Sequence, residues 1–239
     1  MTLRADESLE ATLPLPEAVA PAPANATGPF RLPGPIAKTP LPLHIGADSD
    51  GANRFRGDLA RVSVFDRVLS ADELRLLADQ GCRTVHDWNG CVASWNFDAP
   101  RKFESKGEHA WTAEVIGQVA SIDGRFGKAI HLDGRGYLSV AHDPALDCTH
   151  GVTLEAWIRP AEQAPGGGRI LDKSPAGHTG AYLLDTYPHN SLRLIVRNPQ
   201  LRFAAKLDAG TWVHVAATVD GDTGESALYL NGTKVASQR

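Results

Sequence analysis

The sequence predicts an all-β protein, a two-sheet antiparallel sandwich carrying one short helix. Three observations predict it. Nine short apolar runs follow one another between residues 92 and 231, nearly all bounded by Gly, Pro, Asp or Asn. TWVHVAATVD (211–220) places Val213, Val215, Ala217 and Val219 on one face with the period of two that a half-buried strand requires. Only SADELRLLADQG carries the full set of helix signals. Ser70 is the N-cap, Glu73 completes a capping box, and Gly81 ends the helix.

The elements follow in order. Residues 1–42 hold nine of the sixteen prolines, which remove backbone donors and fix φ, so this segment reads as an extended arm or long loop. LHIG (43–46) is a short strand and ADSDGANRFRG a polar loop. DLARVSVFD (58–66) is a strand alternating Ala60, Val62 and Val64 against Leu59, Arg61, Ser63 and Phe65. The helix and a Cys-bracketed linker (81–91) come next, then the main body over 92–239. Its strands are VASWNFD, KAIHLDG, GYLSVA, VTLEAWIR, GRILDK, AYLLDT, LRLIVR, TWVHVAATVD and SALYLN. Asn231-Gly232 then turns a hairpin into the last strand. The same Asn231, like Asn25, begins a formal glycosylation sequon, and the turn is the better account of it.

Composition narrows the function classes. Charged residues make up 22% and the formal net charge is −4, so a basic nucleic-acid footprint is excluded. No apolar run approaches the roughly eighteen residues of a membrane span. MTLRADESLE has no apolar stretch, so no signal peptide is visible. The three cysteines, Cys82, Cys91 and Cys148, are too few and odd in number for a disulfide framework. With His86, Cys82 and Cys91 match no usual zinc spacing, so free thiols or one local bridge are expected.

Several ordered motifs resemble a known family. DGRFGKAIHLDGRGYLSVAHDPALDCTHGVTLEAWIRP, GRILDK and GTWVHVAATVDGDTGESALYLNGTKVA resemble the laminin G-like, concanavalin A-like jelly-roll modules. The family's closing elements, an I-G strand, a polar loop, an F-x-G-x-L-x-x-V strand and an L-S-x-x-E-L helix, resemble LHIGADSDGANRFRGDLARVSVFDRVLSADEL. Here those elements lie at residues 43–74, ahead of the rest, so the order looks circularly permuted or excerpted. The resemblance implies a jelly roll in which 43–239 form one domain and strand 58–66 packs with strands 92–98 and 211–219. Pairing with a neighbouring module or a second chain is the alternative.

Function is read from the same residues. Glucan hydrolases of this sandwich type need paired carboxylates on one strand. Glu155 stands alone in VTLEAWIR and Glu225 lies beside a turn, so no enzyme is expected. His214 reads as structural, and Trp95, Trp157 and Trp212 as core. A structural Ca²⁺ would take carboxylate and amide oxygens on loops. Asp48, Asp50 and Asn53 supply such groups, and the resemblance adds Asp58 and Asp98, where first and last strands meet. A sugar site needs an aromatic platform beside planar polar groups. LLDTYPHNSLRLIVRN offers Asp185, Tyr187, His189, Asn190 and Arg197, with Arg193 and Asn198. The resemblance implies a non-catalytic carbohydrate-binding module of a larger secreted protein, beside a catalytic domain or another such module. It would meet a carbohydrate or glycoprotein surface outside the cell. The alternatives are a structural or protein-interaction module and a hydrolase with an unrecognised site.

Overall fold

The computed structural model describes residues 34–80, 87–99, 103–162, 166–196, 200–204 and 206–239. Among the described residues, sixteen strands and one α-helix follow the chain: β1 (Leu43–Ile45), β2 (Arg56–Phe65), α1 (Ala71–Gln80), β3 (Cys91–Trp95), β4 (Phe103–Glu104) and β5 (Thr112–Gly117). β6 (Ala120–Asp123), β7 (Lys128–Asp133), β8 (Gly136–Val140), β9 (Gly151–Pro160), β10 (Arg169–Asp172) and β11 (Leu183–Asp185) come next. β12 (Leu192–Ile195), β13 (Leu201–Phe203), β14 (Val213–Asp220), β15 (Ser226–Leu230) and β16 (Thr233–Gln238) close the sequence. One sheet runs β13-β12-β11-β10-β1-β8-β5-β4; the other runs β16-β15-β14-β9-β2-β7-β6, with β3 also on β2. All strand pairs between named strands are antiparallel. The fold is a concanavalin A-like sandwich.

The two early strands lie inside both sheets. β1 sits between β10 and β8, and β2 between β9 and β7. Leu43, Ile45, Leu59, Val62 and Val64 point into the shared core, against Trp95, Ile130, Leu154, Ala156 and Leu184. The simple alternation expected for 58–66 is broken by a bulge between Leu59 and Arg61. The extra residue puts Leu59 on the core face with Val62 and Val64, and turns Ala60 outward beside Ala129 and Trp157. Lys173 ties down the chain ahead of β1. Its fully buried ammonium donates to the carbonyls of Thr39 (2.8 Å) and Leu41 (3.2 Å) and pairs with Asp147 at 3.0 Å.

A third layer covers the outer face of the second sheet. Leu74 and Leu77 of α1 pack on Phe65, Ala216 and Tyr229. The capping box forms: Ser70 N–H donates to Glu73 Oε2 (2.7 Å) and Glu73 N–H to Ser70 Oγ (3.2 Å). Arg67 hydrogen-bonds the same carboxylate and holds it down at about 2. The expected helix end at Gly81 lies outside the described residues, as do Cys82 and His86. Cys91 and Cys148 are free, and burial pushes both thiols up to about 12. Asn231 (φ 47°) and Gly232 (φ 73°) make the hairpin turn, and Asn231 Oδ1 accepts from His214 N–H at 3.0 Å.

Candidate functional site

The face of β10, β11 and β12 turned away from the core carries a continuous polar array. Leu184, Leu192 and Leu194 point into the core, so their neighbours Asp185 and Arg193 point out. Register then aligns Arg169, Asp185, Arg193 and Arg202 in one row across four strands. Asp185 accepts from both flanking arginines: Arg193 Nε lies 2.9 Å from Oδ1, and Arg169 Nη1 and Arg193 Nη2 reach Oδ2. Arg193 stacks on the Tyr187 ring with its guanidinium carbon 4.0 Å from the ring centre, and Arg202 approaches the same ring at 5.6 Å. Gln200 Oε1 accepts from Arg202 Nη2 (2.8 Å) and Arg193 Nη1 (3.3 Å).

Above this row a cavity of about 420 Å³ opens between the strands and the loop before β11. Its lining includes Arg169, His178, Thr179, Leu183, Arg193 and Gln200. No carboxylate lines it among the described residues. The acids lie behind it. Asp172, 2% exposed, keeps Arg169 Nε at 3.1 Å without hydrogen-bond alignment and accepts from Ser174 N–H at 2.7 Å. Burial, joined by the charges of Asp48 and Asp185, outweighs these partners and pushes the Asp172 carboxyl up to about 7. The loop entering β10 is pinned by Gly167, φ 64°, where a Cβ would lie 1.9 Å from the Thr186 carbonyl oxygen.

The Asp172 shift has a signed consequence. Its folded-state value exceeds the ordinary 3.8, so the stability tied to its proton is complete below about pH 4 and lost as pH rises through about 7. Asp172→Asn is therefore expected to exceed the parent by a few kcal/mol at pH 8 and by clearly less at pH 5. Chemical denaturation at both pH values checks this, and an equal difference at the two would contradict it.

The sugar-site residues divide. Asp185 is the floor of the array, and Tyr187 stiffens Arg193 instead of offering a bare ring face. His189, exposed at φ 55°, lines a separate cavity of about 320 Å³ with Pro188, Ser191 and Lys206. Asn190 is fully buried and bridges the carbonyls of Ala161 (3.1 Å) and Leu207 (3.4 Å), so it holds the loop. Arg197 and Asn198 lie outside the described residues. Arg169, His178, Thr179 and Gln200 went unnoticed because they come from separate segments that only register and a covering loop unite.

The proposed metal ligands also divide, and they do not fit Ca²⁺. Buried Asp48 receives N–H groups from Asp50 (3.1 Å), Ala52 (2.7 Å) and the Asn53 amide (2.6 Å), so donors point where a cation would sit. Asp58 is held between Arg159 Nε (2.6 Å) and His131 Nδ1 (2.7 Å). Asp98 accepts from Lys128 N–H at 2.8 Å. Among the described residues no three His, Cys, Asp or Glu side chains gather as a metal site.

Glu155 is not alone. It lies fully buried beside His214, Oε2 to Nε2 3.3 Å, on the sheet face that α1 covers. Burial pushes its carboxyl up, but the close approach and charge of His214, then Arg61 and Ser63, bring it below the ordinary range.

A laminin G family model, described as the concanavalin A-like lectin/glucanases superfamily, matches residues 132–239. The match takes in every strand that builds the cavity and leaves β1 and β2 outside it. A solved structure from Bacteroides ovatus, described as "a putative carbohydrate binding protein", is 12% identical with a TM-score of 0.23. The alignment covers 84% of this chain and 66% of that one, so the chain spans less than two thirds of its length. A likeness that low bears on neither fold nor ligand. No curated protein matches the chain.

Proposed function

Taking residues 132–239 as a member of the concanavalin A-like lectin/glucanases superfamily, we propose that the protein is a non-catalytic carbohydrate-binding module. One observation carries the reading: the cavity of about 420 Å³ floored by a fixed Arg169–Asp185–Arg193 array. Rigid guanidinium, amide and hydroxyl groups of Arg193, Gln200 and Thr179 suit sugar hydroxyls, and Leu183 and Ile195 supply apolar contact for a sugar's C–H face. The floor carboxylate of Asp185 is held by Arg169 and Arg193, and among the described residues no carboxylate lines the cavity beside it. That argues against glycoside hydrolysis, with its acid and second carboxylate flanking the bond.

The wider setting belongs to the same proposal. The module would serve a larger secreted carbohydrate-active protein, in contact with a glycan or glycoprotein surface. Its strand order reads as a permuted form of the family's, with 43–239 as one domain, supported by the interior places of β1 and β2. A glycan array with and without EDTA tests the function. Binding to at least one glycan, lost in Arg193→Gln and indifferent to EDTA, is the expected result. No glycan bound under either condition would overturn the lectin reading and leave a structural or protein-interaction module. An unchanged Tm in EDTA is expected for the same reason.

A further inference from the structure

We propose that the cavity takes an acidic saccharide, with a uronic acid carboxylate seated between Arg193 and Arg202 where the Gln200 amide oxygen now lies. The proposal rests on the carbohydrate-binding reading and narrows it to one ligand class.

Charge and geometry both point there. Arg169, Arg193 and Arg202 share a row with Asp185, and Asp172 from the next row also stands 3.1 Å from Arg169. Asp185 is satisfied by the first two arginines. Among the described residues no carboxylate pairs with Arg202; its contacts are the Gln200 oxygen and the Tyr187 ring. A chain of net charge −4 thus turns the cationic edge of Arg193 and Arg202 toward a cavity that no acid lines among the described residues.

Gln200 marks the anion's place. A neutral carbonyl oxygen bridging two guanidiniums is the weaker form of a contact that a carboxylate makes with charge assistance. Arg193 is 8% exposed, stacked on Tyr187 and held by Asp185 through Nε and Nη2, so its free edge is fixed at Nη1. A ligand carboxylate entering there needs no rearrangement of Arg193. It displaces the Gln200 oxygen from both arginines, at 3.3 Å from Arg193 and 2.8 Å from Arg202, and meets the same two donors with charge assistance. Thr179 and His178 stand across the cavity to meet ring hydroxyls.

Titration calorimetry on the full chain tests this with uronic acid trisaccharides (galacturonate, glucuronate and mannuronate), their methyl esters, and a sulfated neutral trisaccharide. At least one acid is expected to bind about tenfold or more tighter than its ester, since the ester keeps the shape and loses the charge. Raising the salt should shrink that gap. Arg202→Gln, an exposed change, should narrow that gap by costing the acid more affinity than the ester. Equal affinity for acid and ester would overturn the proposal while leaving a sugar-binding cavity intact. Preference for the sulfated sugar over every uronate would overturn the carboxylate assignment. Binding of no saccharide at all would overturn this proposal together with the function it rests on.

Discussion

A chain cut to residues 92–239 is expected to be unfolded at 25 °C. The cut removes β1 and β2, which are interior strands. β2 alone pairs with β9 over eight aligned residues and with β7 over four. Five fully buried side chains leave the core with them: Leu43, Ile45, Leu59, Val62 and Val64. At about 1.5–3 kcal/mol each, their loss amounts to roughly 7–15 kcal/mol, the whole stability of an ordinary domain. The exposed edges of β8, β9 and β10 add aggregation to instability. Far-UV circular dichroism and amide dispersion should show a disordered chain, and adding residues 34–80 as a separate peptide should restore dispersed signals. Cooperative thermal unfolding of 92–239 alone would contradict the prediction.

Lys173→Met is expected to cost about 3–5 kcal/mol. Methionine nearly fills the volume, so the loss is one of charge and hydrogen bonds. Asp147, with a side chain 7% exposed, then keeps a negative charge without its ammonium partner. The Thr39 and Leu41 carbonyls lose their shared donor as well. Those carbonyls belong to the segment leading into β1, so the damage should concentrate there. Urea denaturation measures the total, and hydrogen exchange should show β1 amides losing protection before those of β14. Lys173→Met with Asp147→Asn should recover part of the loss, because the unpaired charge is then gone. A loss under 1 kcal/mol would show that the clamp does not hold the segment.

The fold was legible where residue periodicity and turn chemistry agreed. TWVHVAATVD became β14 with Val215, Ala217 and Val219 in the core, and the Ser70–Glu73 box started the helix as its spacing predicts. β5 and β6 escaped notice because little of either is buried, so TAEVIG and ASID carry no clean alternation. The bulge in β2 was invisible because it depends on how β9 pairs with it. The site shows the same division. Asp185 and Tyr187 drew attention as polar and aromatic residues in one hairpin. Arg169 and Gln200 did not, since they come from distant segments that only the folded sheet brings to one cavity. His214 was readable as structural, but its partner Glu155 sits on another strand and emerged only from the pairing.

The central claim is that residues 43–65 complete this sandwich within their own chain. Isotope-filtered NOE spectroscopy on a mixture of differently labelled chains tests it most directly. Intramolecular contacts are predicted between the aligned pairs Val62 and Ala156, and Val64 and Leu154, and also between Ile45 and Leu138. Contacts seen only between differently labelled chains would contradict the claim and assign the strands to a neighbour.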